Sequence, residues 1–148
     1  MLATKVYGGM GDGPNDRGLS AYHVRRACEE SLRRLQTDYV DIYYIHHTDV
    51  ETPLEEMLRA LDDLVRQGKI VHPAVSNWAA WQIAKALGIS AREGLARFEC
   101  IQPMYNLVKR QAEVETREGS VPHGGWGPDL AAAAGSGGHR PIFAVRHC

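Results

Sequence analysis

The sequence has few cysteines, no excess of one charge and no long apolar run, and each shortage excludes a class of protein. Its three cysteines, Cys28, Cys100 and Cys148, contain no CxxC pair, which argues against a disulfide framework and a zinc cluster. The 17 Lys and Arg balance 18 Asp and Glu, so nucleic acid and anionic membranes exert little electrostatic attraction. There is no membrane-length apolar stretch and no apolar signal-peptide core. We expect a cytoplasmic protein without nucleic-acid partner, membrane partner or metal site.

Short β-rich runs alternate with helical patterns over residues 1–115, and successive runs start roughly 30 residues apart, as a strand plus a crossover helix requires. This spacing predicts an α/β fold with a parallel sheet. The predicted strands cover residues 2–6, 39–45, 70–76 and 98–104. Pro73 weakens the third prediction because proline lacks the N–H that an interior ladder uses.

The predicted helices have recognisable ends. Ser20 is placed to cap the first helix. In Thr52–Glu55, the threonine is predicted to cap the second helix and the glutamate to complete a capping box, while Gly68 is placed to end it. A third helix is predicted over about residues 78–87 with Asn77 as its cap.

The composition changes after residue 115. Residues 116–148 hold 7 of the 15 glycines and 3 of the 7 prolines, with few large apolar side chains. Such a segment buries too little surface to offset chain entropy. We predict two regions, an ordered domain over residues 1–115 and a disordered Gly/Pro/Ala-rich tail over residues 116–148, and the tail reads as unrelated or out-of-frame sequence.

Polar side chains end all four predicted strands: Lys5, then His46, then Ser76 and Asn77, then Gln102. Ligands of parallel α/β sheets bind beyond the carboxyl ends of the strands. Any one of these residues alone is more often simply solvated or hydrogen-bonded. Their succession at four strand ends favours a common site.

Alternation along the second strand places His46 on the same side as Tyr44 and Ile42. A partly desolvated Lys5 would supply positive charge to a developing oxyanion, and neutral His46 could donate a hydrogen bond to a carbonyl oxygen. The amide and hydroxyl side chains at the other strand ends are of the kind that holds a planar carboxamide.

The glycine-rich run Gly8–Gly13 suggests a phosphate cradle at first sight. No helix starts at its last glycine and no P-loop lysine follows it, so the dinucleotide and P-loop patterns are not met. We therefore interpret it as a mobile loop between a strand and a helix.

Several motifs recur in the order and at the spacing of a known family. The segments LATKV, LQTDYVDIYYIHH, VSNW and IQPMYN resemble those of the aldo-keto reductases, especially the branch that includes the potassium-channel beta subunits. The resemblance covers about residues 1–115. It implies an eight-stranded (β/α)8 TIM barrel, of which this chain would form about strands three to six, and an NADPH-dependent reduction of aldehydes or ketones.

The family's functional residues carry over to five positions. By this resemblance, Lys5 and His46 correspond to the catalytic lysine and histidine. Ser76, Asn77 and Gln102 correspond to the residues that hold the nicotinamide carboxamide. The implied cofactor is NADPH, and the implied partner is a small carbonyl substrate.

The chain also departs from the family pattern. By the resemblance, the family's general-acid tyrosine and the aspartate that pairs with the lysine precede the segment where this sequence begins. Residues 116–148 resemble neither the later strands nor the phosphate-binding loops. A barrel of this class needs about 250 residues, so 148 residues correspond to a fragment. We expect weak NADPH binding and no turnover by this chain alone.

Two other functions stay open at this point. One is a cofactor-sensing or partner-binding subunit like the channel beta subunits, although those relatives tend to lack a histidine at position 46. The other is a non-functional fragment with aggregation-prone strand edges.

Overall fold

The computed structural model describes residues 1–13 and 15–103. They form four strands and three helices in strict alternation: β1 (Ala3–Val6), α1 (Ala21–Leu35), β2 (Val40–Ile45), α2 (Leu54–Arg66), β3 (Ile70–Ser76), α3 (Ala80–Glu93) and β4 (Cys100–Gln102). All neighbouring strands are parallel, and their order in the sheet is β1-β2-β3-β4. The predicted α/β fold with four parallel strands is confirmed, in the arrangement of a partial TIM barrel.

The sheet has two buried faces with different partners. The outer face packs against the helices and contributes to the large core, which includes Tyr43, Ile45 and Val75. The inner face holds a separate buried cluster of Ile42, Tyr44, Ala74 and Cys100. The predicted alternation along β2 is therefore confirmed, because Ile42 and Tyr44 lie on one side and Tyr43 and Ile45 on the other.

Two of the predicted helix boundaries have the expected chemistry. The Ser20 hydroxyl accepts a hydrogen bond from the backbone N–H of His23 at 3.3 Å, which caps α1. After α2, Gly68 adopts a positive φ of 70° and donates its N–H to the carbonyl of Val65. A left-handed residue of this kind ends a helix most easily when it is glycine.

Two predicted caps are wrong, because both side chains bind elsewhere. Thr52 donates its hydroxyl to Asp49 at 2.8 Å, and α2 starts after Pro53 without a side-chain cap. Asn77 lies three residues before α3, whose cap position is Ala79. The backbone N–H of Ala79 instead donates a hydrogen bond to the side-chain oxygen of Gln82 at 3.0 Å.

Pro73 lies inside β3, which is flanked by β2 and β4. Its carbonyl accepts a hydrogen bond from the N–H of Glu99 at 2.9 Å, so its backbone faces the β4 side. Pairing with β4 begins only at Ala74, opposite Cys100. The N–H that proline lacks would point toward β4 at a level where β4 has not yet begun. No ladder hydrogen bond is therefore lost, and β3 continues through Pro73.

Several predictions lie outside the described residues. They are the end of the fourth strand at Met104, the division between residues 115 and 116, and the disorder of residues 116–148. Within the described part, β4 is shorter than predicted and starts at Cys100. The three helices of residues 1–13 and 15–103 are too short and too polar to serve as membrane-spanning segments.

Candidate functional site

The predicted site residues lie in two adjacent layers at the carboxyl end of the sheet. Cα pairing places Lys5 opposite Tyr44, Tyr44 opposite Ala74, and Ala74 opposite Cys100. The next layer toward the carboxyl end contains the other polar residues, with Ser76 paired to Gln102 and with His46 directly after β2. The structure thus brings all five predicted residues, Asn77 included, to one rim of the sheet.

Lys5 connects the two outermost strands of the described sheet. Its Nζ donates a hydrogen bond to Oε1 of Gln102, so a residue of β1 meets a residue of β4. Three strand spacings would separate these strands by about 14 Å in a flat sheet. Side chains that stand upright on a flat sheet would not meet across that distance, so the inner face must be concave.

Lys5 lies beside an aromatic ring and is partly desolvated. Its Nζ lies 5.4 Å from the ring centroid of Tyr44, within the range of a cation–π contact. Burial lowers the pKa of the Lys5 ammonium below its ordinary value, because a partly desolvated site disfavours the charged form. A lysine in this state is a stronger proton donor than one in water.

His46 is held at the rim by a backbone hydrogen bond and by the ring of His47. Its N–H donates to the carbonyl of Val6 at 3.0 Å. Its ring lies against the ring of His47, with centroids 4.2 Å apart, and His47 meets Tyr7 edge-on at 5.3 Å. Burial, followed by the charges of His47 and Lys5, lowers the pKa of His46. Its neutral form, which can donate a hydrogen bond without carrying charge, is therefore favoured.

Ser76, Asn77 and Gln102 form a connected group of amides and a hydroxyl, which we name the amide subsite. The Ser76 hydroxyl donates to the backbone carbonyl of Gln102 at 3.0 Å. The Asn77 amide donates to Ser76 Oγ at 3.1 Å and to the carbonyl of His46 at 3.2 Å. Asn77 adopts a left-handed φ of 59°, a conformation that asparagine tolerates well. This geometry explains why Asn77 connects two strand ends and does not cap α3.

Sequence reasoning missed Asp49, which joins the two loops beside the site. Its Oδ2 accepts hydrogen bonds from the N–H of Leu19 and from the Thr52 hydroxyl, both at 2.8 Å, and its Oδ1 accepts from the N–H of Glu51 at 2.9 Å. Gly18 precedes Leu19 with a φ of 86°, and a Cβ there would meet Asp49 Oδ2 at 2.9 Å. An aspartate that accepts the backbone N–H two residues on forms a recognisable turn, but nothing local indicates the bond of Asp49 to Leu19.

The glycine-rich loop is organised around a second aspartate that sequence reasoning also missed. Asp16 Oδ2 accepts the N–H of Gly13 at 3.0 Å, and its backbone carbonyl accepts the N–H of Met10 at 2.8 Å. Arg26 of α1 pairs with the same carboxylate at 2.5 Å. The loop is a hydrogen-bonded turn in the structure, while its mobility stays a prediction.

The described residues contain no group of three or more His, Cys, Asp or Glu side chains placed to bind a metal ion. The donors at the rim are amides, a hydroxyl, an imidazole and an ammonium. This set suits hydrogen bonding to a carboxamide and to a carbonyl oxygen.

Comparison with known proteins finds relatives among oxidoreductases and channel subunits. The chain is 43% identical over 119 residues to the uncharacterized oxidoreductase YrpG of Bacillus subtilis (strain 168), which covers 78% of this chain and 36% of the relative. It is 40% identical over 116 residues to a probable voltage-gated potassium channel subunit beta of Arabidopsis thaliana, covering 78% and 35%. It is 41% identical over 105 residues to versiconal hemiacetal acetate reductase of Aspergillus parasiticus, covering 71% and 30%.

The chain therefore spans about a third of the length of these curated relatives. The profile of the aldo/keto reductase family matches residues 1–120, which include every described strand and helix. The resemblance drawn from the sequence motifs is confirmed. This chain belongs to the aldo/keto reductase family.

Proposed function

We propose that this chain carries part of the active site of an NADPH-dependent oxidoreductase that reduces aldehydes or ketones to alcohols. Lys5 and His46 would act on the carbonyl oxygen of the substrate. The amide subsite would hold the carboxamide of the nicotinamide ring. The observation that supports this proposal best is the convergence of all five residues on one rim of four parallel strands, where hydrogen bonds of their side chains and backbone carbonyls link them.

The chemistry of the first two residues suits a carbonyl that gains negative charge. A neutral His46 can donate a hydrogen bond to the carbonyl oxygen of the substrate. It does not first have to give up the hydration shell that an imidazolium cation would carry. Lys5 lies one layer below and contributes an ammonium whose pKa is lowered by burial. Positioned proton donors and oxyanion-stabilising groups each contribute large factors to such reactions.

The amide subsite fits the cofactor's carboxamide by its donor set. A carboxamide is planar and offers one carbonyl acceptor and two N–H donors. Ser76, Asn77 and Gln102 provide hydroxyl and amide partners for both. When bound, NADPH would supply the hydride for the reduction. The phosphate contacts of the cofactor are not assigned to any described residue, and these charge-assisted contacts are among the strongest polar interactions.

The binding half of the proposal is tested by NMR on the isotope-labelled 148-residue chain. We expect NADPH to shift the side-chain amide signals of Asn77 and Gln102 saturably and with weak affinity. The control is His72→Ala, since His72 lies on the same strand as Ser76 but four residues nearer the amino end. His72→Ala should leave the response unchanged, whereas Asn77→Ala should reduce it. Shifts that avoid the rim would overturn the assignment.

Affinity and activity give two further checks. Titration by tryptophan fluorescence should give an affinity weaker than micromolar, and tighter binding would refute our expectation. NADPH oxidation with 4-nitrobenzaldehyde should stay at background in both the chain and its His46→Ala variant. Turnover that His46→Ala abolishes would show that the chain is active by itself.

A further inference from the structure

His23 is a buried imidazole that the proposed chemistry does not use. It lies in the first turn of α1 and is 1% exposed. Neither of its ring nitrogens has a hydrogen-bond partner among the described residues. A buried polar group without a partner costs free energy, and a buried charge costs far more. This position therefore accommodates the neutral ring and opposes the imidazolium, which would bury a charge and two N–H donors.

The glycine-rich loop, described over residues 8–13 and 15–18, lies against this ring. The carbonyl of Gly8 approaches the imidazole from the arm that leaves β1, and the carbonyl of Asn15 approaches it from the arm that returns to α1. Neither carbonyl makes a hydrogen bond with the ring. Because both arms contribute to the burial of the ring, movement of the loop away from α1 would expose His23 to water.

The loop is held closed by contacts that can break without unfolding the sheet. Across the base of the loop, Gly18 donates its N–H to the carbonyl of Tyr7 at 3.0 Å. Farther out, Met10 donates to the carbonyl of Asp16 at 2.8 Å, and the Asp16 carboxylate pairs with Arg26 of α1. Surface ion pairs contribute little each. The loop can therefore open locally while the core stays folded.

We propose that His23 is a pH-dependent switch of the glycine-rich loop: the neutral ring stays beneath the closed loop, whereas protonation opens the loop and lets the imidazolium reach water. In the closed loop, burial lowers the pKa of His23 below its ordinary 6.5. In the open loop the ring is hydrated and titrates near its ordinary value. The state with the higher pKa gains population as the pH falls, so acid favours the open loop.

Charged groups around the start of α1 adjust the size of this effect. On the loop, Asp16 favours the imidazolium, while Arg26 of α1 opposes it. Glu56 of α2 and Asp49 of the preceding loop accept backbone N–H groups at or just before the start of α1. Burial has the largest influence on His23 and sets the direction. Carboxyl groups ordinarily titrate near about pH 4, so a change above about pH 5 points to a histidine.

The base of the loop borders the candidate site, which brings a second histidine close to it. Tyr7 accepts the N–H of Gly18, and its ring meets His47 edge-on at 5.3 Å. Opening of the loop would therefore loosen Tyr7 beside the rim. Protonation of His47 is the alternative source of acid sensitivity, and a test has to separate it from protonation of His23.

The experiment follows amide hydrogen exchange by NMR in the full 148-residue chain from about pH 7.5 to about pH 5. The N–H groups of Met10 and Gly18 report on the loop, and that of Lys69, which binds the Leu64 carbonyl, reports on a distant turn. After correction for the pH dependence of exchange itself, protection of the two loop amides should fall by about threefold to thirtyfold, while that of Lys69 stays constant. The upper value is the limit that a pKa of about 6.5 in the open loop sets when the closed loop excludes the proton completely.

Two variants assign the effect to one histidine. His23→Leu keeps a buried apolar side chain that cannot be protonated, so the loop amides should lose their acid sensitivity. His47→Gln is the matched control and should leave that sensitivity intact.

A third variant tests the coupling in the reverse direction. Gly18 has a φ of 86°, and a Cβ there would meet Asp49 Oδ2 at 2.9 Å, so Gly18→Ala should loosen the loop without changing its charge. Because coupling is reciprocal, this substitution should raise the pKa of His23 toward 6.5 in an NMR titration of the imidazole.

The outcomes decide whether His23 controls the loop. Loop protection that does not change with pH, or that falls equally in His23→Leu, would overturn the switch. A fall that His47→Gln abolishes would assign the acid sensitivity to the rim and not to His23. If His23→Leu does not fold, the titration decides, since an unchanged pKa of His23 in Gly18→Ala would rule out the coupling. None of these measurements uses a ligand, so they test the switch independently of the proposed function.

Discussion

The two faces of the sheet are built from the same strands and yet differ in almost every property. On β2, Tyr43 points to the helices and donates its hydroxyl to the carbonyl of Val24 at 3.0 Å. Its neighbour Tyr44 points to the inner face, where its hydroxyl is buried without a hydrogen-bond partner among the described residues. One residue thus stabilises the packing of helix on sheet, while the next lies beneath the candidate site.

This difference follows from the two-residue period of a strand. The outer face is continuous with a large apolar core that includes Leu58 and Leu61 of α2. The inner face has only a small apolar cluster, with Lys5 beside it in the layer of Tyr44 and with His46 and the amide subsite one layer above. Apolar burial is the main source of stability, so we expect the outer face to supply most of it and the inner rim to supply the chemistry.

The strongest test of this comparison removes one side chain from each face. Leu58 is completely buried in the outer core, and Leu58→Ala should lower the free energy of unfolding by about 2–5 kcal/mol. His46→Ala at the rim should change it by about 0.5 kcal/mol or less. Urea unfolding followed by circular dichroism measures both. Similar losses for the two variants would show that the rim carries stability as well.

Asp49 joins the two loops beside the rim, and its contribution to the stability of the protein should depend on pH. Burial raises the pKa of Asp49, but hydrogen bonds from Glu51, Thr52 and Leu19 outweigh it, so the pKa lies below its ordinary 3.8. A carboxyl whose pKa is lowered by folding stabilises the protein above the unfolded value, and this stabilisation is lost as the pH falls through the folded value. We expect Asp49→Ala to cost about 1–2 kcal/mol at neutral pH, and much less in acid.

The measurement is the urea midpoint of the unaltered chain and of Asp49→Ala from about pH 7 to about pH 3. The gap between the two curves should stay constant until about pH 4 and then close. Asp49→Asn keeps an acceptor oxygen and should lie between them. A gap that does not change with pH would mean that the charged carboxylate is not what joins the loops.

The adjacent tyrosines allow a smaller but sharper comparison. Tyr43→Phe removes a buried hydrogen bond to Val24 and should cost about 0.5–1.5 kcal/mol. Tyr44→Phe removes a buried hydroxyl that has no partner in the described part of the chain, so it should be neutral or slightly stabilising. Burial raises the pKa of Tyr44 to about 12, so neither phenol ionises near neutral pH. Thermal unfolding measures both effects. Tyr43→Phe should lower the melting temperature, whereas Tyr44→Phe should leave it unchanged or raise it slightly.

The sequence allowed prediction of what depends on local pattern. Alternation placed His46 beside Tyr44 and Ile42, and glycine at position 68 predicted the end of α2, because both signals act over a few residues. The caps at Thr52 and Asn77 were wrong because their side chains bind Asp49 and the His46 carbonyl. The second of these partners is 31 residues away in the sequence, so no local pattern reports it.

The same limit explains the missed features of the site. Asp49 binds the backbone of Leu19 across 30 residues. The bond between Lys5 and Gln102 spans 97 residues and depends on the curvature of the sheet. The polarity of the strand ends was visible in the sequence, whereas the hydrogen bonds that join them are a property of the fold.

The finest test concerns two histidines, one on each side of the sheet. The pKa of His46, at the inner rim, is lowered by burial and then by the charges of His47 and Lys5. The pKa of His23, on α1 at the outer side, is lowered mainly by burial, with Arg26 and Asp16 acting in opposite directions. Lys5→Met should therefore raise the pKa of His46 toward its ordinary 6.5 and leave that of His23 unchanged.

The sign of the resulting stability change can be worked out for His46. Because folding lowers its pKa, the unfolded chain binds the proton more readily, and stability falls as the pH drops below about 6.5 toward the folded value. Lys5→Met should reduce this acid-side loss, and the NMR titration of the two imidazoles measures both pKa values in one sample. If both histidines shifted together, Lys5 would be acting through a general change of the fold. If only His46 shifts, the charge of Lys5 acts locally on the inner rim, as the proposed site requires.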